Sequence, residues 1–147
     1  GKHATLFVGV IDHEAHTLHY SLGAQLPMPL LAAGGELRRL EGEGMPVGLF
    51  PDVEYPSLSC ALPNDFCLWL CSDGVLECLP GKTLDTRLKE LEQLVSESVT
   101  LEQLRDRLAE TNALLAEGDA EFDANQERDA LPDDLTIMMV SGFGHAD

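Results

Sequence analysis

The chain has 147 residues, which is enough for one domain with a real core and too few for two ordinary domains. Hydrophobic residues make up 44 % of it, a globular rather than a disordered composition. The formal net charge of −17 would repel phosphate backbones and anionic lipids, which argues against nucleic-acid binding and membrane attachment. We therefore expect a single domain over residues 1–147 whose acidity suits cations or basic patches on protein partners.

The first half of the chain predicts β-strands. Leu18, Tyr20 and Leu22 alternate on one face, and the turn "DHEAHT" separates them from an unbroken β-rich apolar run, so the two segments predict a β-hairpin. The unbroken run is typical of a strand that is covered on both faces. The expected strand segments are 4–11, 18–22, two within 29–40 around a Gly-Gly turn, and two within 57–71.

Leucines at three-to-four-residue spacing follow residue 83 and predict two helices. The first is expected from about Asp85 to Glu97. Thr100 and Gln103 predict a capping box at the start of the second. Its apolar stripe would consist of Leu101, Leu104, Leu108 and Leu115. Because a final apolar strand, "LTIMMVSGF", follows the helices, the pattern predicts an α+β fold with mainly antiparallel sheets.

An acidic stretch, residues 117–132, lies between the second helix and the last strand and has no periodic pattern. Structureless stretches of roughly 15 residues are uncommon in compact domains and are usually functional or disordered. Since this one runs directly into Asp133, a flexible lid over a site is one interpretation. A solvated, disordered loop is the other.

The four cysteines, at positions 60, 67, 71 and 78, form no C-x-x-C pair and fit no common zinc module. Reduced thiols in a cytoplasmic protein are therefore expected. No apolar run approaches the roughly 18 residues that cross a bilayer, and the N-terminus shows no signal-peptide cleavage pattern.

Two acidic motifs lie at the ends of apolar strands. Asp73 follows "LWLC" and precedes Gly74, whereas Asp133 and Asp134 precede the last strand. If the two strands are neighbours, these carboxylates meet at one edge of a sheet, where they repel one another unless they are neutralised. Mg²⁺ or Mn²⁺ is the usual neutraliser of an all-oxygen site. Either motif alone is more typical of a turn or a cap, but the two together favour a metal site.

These motifs resemble those of the SpoIIE/RsbU-like branch of the metal-dependent PPM (type-2C) protein phosphatases. That branch carries Thr/Ser-Asp-Gly-Val-x-Glu after a leucine-rich strand, matched at 72–77, and Asp-Asp-x-Thr before its last strand, matched at 133–136. Its Gly-x-Pro-x-Gly loop is matched at 44–48. Its Ala-Gly-His-x-Pro-Pro motif is not matched at 22–29, and its N-terminal Gly-Asp-Val-x-Gly-His-Gly segment is not found. The resemblance implies a layered α-β-β-α sandwich of mainly antiparallel sheets that is incomplete at the N-terminus.

The resemblance also implies a mechanism. Two metals would lower the pKa of a bridging water, which attacks a phosphomonoester in line. Asp73 and Asp133 would be catalytic residues and ligands of one metal, Mg²⁺ or Mn²⁺. Because the family's N-terminal motif is not found, only part of the family's ligand set is present in this chain. The accessory positions would be Gly74, Asp134, Ser72 and Thr136.

Two functions follow from the resemblance. The first is a serine/threonine phosphoprotein phosphatase domain of a bacterial two-component response regulator, acting in the cytoplasm on phosphorylated regulators of sigma factors and stress responses. The second is a catalytically weakened scaffold, similar to the C-terminal domain of RssB-type response regulators, that binds a sigma-factor-related or anti-sigma-factor partner. Asp73 and Asp133 favour the enzyme, and the missing N-terminal motif favours the scaffold. A homodimer is compatible with both.

Overall fold

The computed structural model describes residues 2–118 and 134–144. Along the described residues, six strands are followed by the helices and then by a final strand. The strands are β1 (Leu6–Asp12), β2 (Thr17–Gly23), β3 (Leu30–Ala33), β4 (Glu36–Arg39), β5 (Leu58–Ala61), β6 (Cys67–Cys71) and β7 (Ile137–Ser141). The helices are a 3₁₀ helix (Asp73–Cys78), α1 (Leu84–Ser96) and α2 (Leu101–Gly118). This segregation of strands from helices confirms the predicted α+β class.

The described strands form two sheets, one with the order β1-β2-β5 and one with the order β4-β3-β6-β7. β1 and β2 pair antiparallel along their whole length, which confirms the predicted hairpin. β3 pairs antiparallel with both β4 and β6. Gly34 and Gly35 connect β3 to β4 with φ values of 58° and 79°, a left-handed conformation that glycine adopts readily. The predicted Gly-Gly turn is therefore confirmed.

The chain divides into two compact units. The first contains the described residues up to Trp69 and those from Met139 onward, and the second is Leu70–Met138. In the first unit, Leu18, Tyr20 and Leu22 of β2 are buried, as their alternation predicts.

β1 differs from the expectation that both of its faces are covered. It lies at the edge of its sheet, and Leu6, Val8 and Val10 are 46 %, 52 % and 62 % exposed. An unbroken apolar run gives a strand two apolar faces, but the remainder of the fold determines whether a second layer covers the outer one. Within the described residues, the prediction was wrong for this strand.

The second unit is built on apolar side chains from three helices. The 3₁₀ helix buries Val75 and Leu76, and it packs against α1 and α2. The residues buried on the two α-helices are Leu88, Leu91, Val95, Leu104 and Leu108. Each lies on the apolar face that the sequence periodicity predicts.

Side-chain caps begin both α-helices. The Thr83 hydroxyl accepts a hydrogen bond from the Thr86 N–H at 3.2 Å, so α1 begins one residue before the predicted start. The Thr100 hydroxyl accepts from the Gln103 N–H at 3.2 Å. Gln103 reaches back to the N–H of Val99 at 2.7 Å, one residue before the predicted cap. These bonds satisfy N–H groups that have no partner within the helix.

α2 continues through Gly118, so the first two residues of the predicted acidic loop 117–132 are helical. Residues 119–132 lie outside the described part of the chain, and the flexible loop stays a prediction. In the part that is described, no helix has the length and apolar character needed to span a membrane.

The four cysteines are free thiols, as predicted, and Cys71 and Cys78 are buried. Burial raises the pKa of the Cys71 thiol to about 12 and that of Cys78 to about 11.

Candidate functional site

β6 delivers Asp73 to the surface from a buried strand. Leu68 and Trp69 of this strand are 3 % and 2 % exposed, and Ser72 continues the extended conformation with φ −75° and ψ 164°. The 3₁₀ helix then begins at Asp73, whose side chain is exposed. Because Gly74 and Val75 directly after it are buried, this carboxylate projects from a turn that is anchored in the core of the second unit.

Ser72 joins the end of β6 to the segment before β7 through three hydrogen bonds. Its N–H donates to the Thr136 carbonyl at 2.9 Å. Its hydroxyl oxygen accepts from the Thr136 N–H at 2.8 Å and donates to the Asp134 carbonyl at 3.0 Å. The "SDG" and "DDLT" motifs, which are more than 60 residues apart in sequence, are therefore held together by one serine.

Gly74 allows Asp134 to approach the 3₁₀ helix. A Cβ atom on Gly74 would lie 3.2 Å from Asp134 Oδ1, 3.3 Å from the Asp134 carbonyl oxygen and 3.3 Å from Leu135 Cα. These separations are tighter than most Cβ contacts, so a larger residue would displace the segment that follows Asp133. The absence of a side chain at this position thus keeps the Asp134 carboxylate beside the turn that carries Asp73.

The oxygen atoms in this region suit a hard cation. Asp73 and Asp134 are exposed carboxylates on adjacent backbone segments. Mg²⁺ usually keeps several waters and binds proteins through one or two carboxylates. Residues 2–118 and 134–144 contain no group of three or more His, Cys, Asp or Glu side chains that could hold a metal. Within these described residues, Asp73 and Asp134 are the carboxylates from the two acidic motifs, and an open, water-rich cation site is the kind of site that two such groups would fit.

The structure brings together most of the residues that the sequence singled out. Ser72, Gly74 and Thr136 make the contacts just described, and Asp73 lies within the same turn. Asp133, the second predicted ligand, lies outside the described residues. Its assignment stays a prediction, although its chain neighbour Asp134 is in place.

A cavity of about 220 Å³ beside this region was missed by sequence reasoning. It is lined by Leu101, Glu102 and Arg105 from the start of α2 and by Leu135 and Ile137 from the segment around the start of β7. Periodicity assigned Leu101 to the apolar stripe of α2 and gave no sign that it borders open space. Only the packing of α2 beside the "DDLT" segment, which is remote in sequence, creates the cavity.

The family model described as Stage II sporulation protein E (SpoIIE) matches residues 1–142. No curated protein sequence matches the chain.

Several solved structures are similar to this fold. The phosphatase domain of the cell fate determinant SpoIIE from Bacillus subtilis is 14 % identical, with a TM-score of 0.63, and the match covers 97 % of this chain and 60 % of that one. A manganese-presoaked form of that domain has the same identity and TM-score, with 97 % and 59 % covered. The RsbU and RsbW domains of a Mycobacterium tuberculosis protein are 27 % identical with a TM-score of 0.57, covering 77 % of this chain and 31 % of that one. The chain thus spans 60 % or less of the length of each of these relatives.

Proposed function

The chain belongs to the SpoIIE family, and we propose that it forms part of a metal-dependent serine/threonine phosphoprotein phosphatase domain. The observation that carries this proposal is the convergence of the two acidic motifs. Ser72 binds the backbone on both sides of Leu135, and Gly74 admits Asp134 to the turn that presents Asp73. If Asp73 only formed a turn and Asp133 only formed a cap, the two acidic motifs would have no reason to lie side by side in the fold.

In this proposal the chain's own residues position the reaction. Asp73 and Asp133 hold the cation, and Asp134 is an accessory carboxylate that holds nearby water. When Mg²⁺ or Mn²⁺ is bound, it supplies charge neutralisation and an activated water for attack on a phosphomonoester. Ser72 and Thr136 fix the separation of the two carboxylate segments through their hydrogen bonds. The manganese-presoaked form of the similar SpoIIE domain supports this choice of cation.

The biological setting is a further part of the proposal. We propose that the chain belongs to a bacterial cytoplasmic signalling protein, a two-component response regulator, whose phosphatase domain acts on phosphorylated regulators of sigma factors. The similarity to a protein that combines RsbU and RsbW domains supports a role in regulatory phosphorylation.

The test uses the full-length protein with Mn²⁺ and two substrates, p-nitrophenyl phosphate and a phosphoserine peptide. Asp73→Asn and Asp133→Asn should each abolish turnover, since each removes a charged ligand while preserving the size of the side chain. Asp52→Asn is the matched control, because Asp52 is exposed and its left-handed conformation, with φ 58°, is well tolerated by asparagine. Turnover that survives both Asp73→Asn and Asp133→Asn would exclude the proposed site.

The exposed face of β1 supports a second candidate function, a scaffold that binds a protein partner. Leu6, Val8 and Val10 present a row of apolar side chains on an edge strand, and contiguous exposed apolar surface is typical of protein interfaces. The partner would be a sigma-factor-related protein, an anti-sigma-factor regulator or a second copy of the chain. Light scattering on the full-length protein tests the last of these: Val10→Lys should convert a dimer into a monomer, and a wild-type monomer would exclude the second copy.

A further inference from the structure

The cavity at the start of α2 shares one lining segment, at Leu135, with the surroundings of Gly74. Leu135 lines the cavity, and its Cα lies 3.3 Å from the Cβ position of Gly74, the residue after Asp73. A phosphorylated residue whose phosphate reaches Asp73 would therefore place a neighbouring residue of its own chain near this cavity. The volume of about 220 Å³ is below the roughly 300–1,000 Å³ of pockets that enclose a whole small molecule. The cavity is of a size to take one side chain.

The wall of the cavity combines apolar and polar groups. Leu101, Leu135 and Ile137 provide the apolar lining, and Glu102 and Arg105 provide one acceptor and one donor. Residues three apart on a helix have Cβ atoms about 5–6 Å from each other, so both polar groups lie along the same side of the opening. An extended peptide residue presents one N–H and one C=O on the same edge, which matches this pair.

Arg105 is free to change partners. Its guanidinium contacts Asp106 Oδ1 at 3.3 Å and 3.4 Å, but both side chains are more than half exposed. Exposed ion pairs contribute little to stability, so a better-oriented acceptor can replace Asp106.

We propose that this cavity is a substrate subsite that binds an apolar residue, such as leucine, next to the phosphorylated residue of a protein substrate. The apolar side chain enters between Leu101, Leu135 and Ile137. Arg105 donates to a backbone carbonyl of the bound segment, and Glu102 accepts from its N–H. The identity of the occupant rests on the proposed phosphatase function, and the cavity selects substrates by the residue that flanks the phosphate.

The experiment compares two phosphoserine peptides that differ only in having leucine or alanine on both sides of the phosphoserine. The full-length protein with Mn²⁺ should give a kcat/KM about tenfold higher for the leucine peptide, the discrimination expected from a few buried methyl and methylene groups. Leu101→Trp, which fills the cavity, should remove most of this preference. Arg105→Ala should lower kcat/KM for both peptides alike, because its carbonyl acceptor is present in each of them. Methylating the leucine nitrogens should weaken binding to wild type but not to Glu102→Ala, because that variant has already lost the acceptor.

Two controls on the same unit separate the subsite from general effects of charge and apolar surface. Lys89→Ala removes a cation from an exposed pair on α1, and Leu114→Ala removes a 68 % exposed leucine from α2. Both should keep the wild-type preference. Arg105→Ala alters an exposed side chain, so it remains informative even if Leu101→Trp fails to fold.

Three results distinguish this subsite from the phosphatase function itself. If the protein hydrolyses p-nitrophenyl phosphate but hydrolyses the leucine and alanine peptides equally well, the subsite is refuted and the phosphatase function stands. Absence of all turnover would refute the phosphatase function. Tighter binding of the leucine peptide by fluorescence anisotropy, with both peptides binding more weakly to Arg105→Ala, would still support the cavity as a leucine-selective peptide subsite. Absence of both turnover and selective binding would refute both.

Discussion

Ser72 provides the sharpest test of how the two acidic motifs are held together, through the substitution Ser72→Ala. The change removes the hydroxyl that accepts from the Thr136 N–H at 2.8 Å and donates to the Asp134 carbonyl at 3.0 Å. The backbone bond from the Ser72 N–H to the Thr136 carbonyl remains. Each lost hydrogen bond is worth about 0.5–1.5 kcal/mol. Since these groups are exposed and water can replace the hydroxyl, we expect a total loss near the lower end, about 1 kcal/mol.

Hydrogen exchange of single amides measures this loss where it occurs. In Ser72→Ala the Thr136 N–H should exchange faster, because it no longer has an acceptor in the protein. The Gly142 N–H is the internal control, since it donates to the Phe66 carbonyl at 2.7 Å beyond the far end of β7. Its protection should not change. Ser72→Thr retains the hydroxyl and should restore protection of Thr136.

Unchanged protection of the Thr136 amide in Ser72→Ala would refute the reasoning, because the serine hydroxyl would then not be its acceptor. Equal losses at Thr136 and Gly142 would also contradict it. Such a result would mean that the whole strand has loosened and that Ser72 does not act locally.

Three further predictions concern the same part of the chain. Gly74→Ala should destabilise the protein by about 1–3 kcal/mol in urea unfolding, because its Cβ would press on Asp134 and Leu135; a change below about 0.5 kcal/mol would contradict the close approach. Burial raises the thiol pKa values of Cys71 and Cys78 to about 12 and about 11, above their usual value of 9.0. As pH rises, these thiols therefore lose their protons in the unfolded chain before they do so in the folded chain. The free energy of unfolding should fall as pH rises above about 9. Both thiols should resist a disulfide reagent at pH 8 until the protein is unfolded, and rapid labelling of the native protein would disprove their burial. Thr83→Ala should lower the stability of α1 by about 1 kcal/mol, with Thr83→Ser restoring it, whereas equal stability of all three forms would show that the cap has no effect.

The elements of secondary structure were predictable because their signals are local. The alternation of Leu18, Tyr20 and Leu22 specifies one buried face of β2, and the structure buries all three. Leucine spacing predicted α1 to within one residue at each end. Thr100 and Gln103 predicted the start of α2, since cap residues bind N–H groups within a few positions of themselves.

The features that the sequence did not predict depend on distant parts of the chain. β1 reads as fully covered, but its outer face is exposed because no described element packs on it. In the sequence, Arg105 is an ordinary charged position on a helix. It borders a cavity only because Leu135 and Ile137, which are remote in sequence, line the same space. The approach of the Asp134 segment to the turn that carries Asp73 lies between these cases. It could be predicted only on the condition that β6 and β7 are neighbours, a condition that the sheet order satisfies.

The most direct test of the central claim is calorimetric titration of Mn²⁺ into the full-length protein and its Asp73→Asn, Asp134→Asn and Asp52→Asn variants. We expect wild type and Asp52→Asn to bind Mn²⁺ alike, because Asp52 is remote in sequence from both acidic motifs. Asp73→Asn should abolish binding, and Asp134→Asn should weaken it by about 10–100-fold, the usual effect of losing a group that supports the ligands. Equal affinity in wild type and Asp73→Asn would contradict the claim that the strand ends form a metal site.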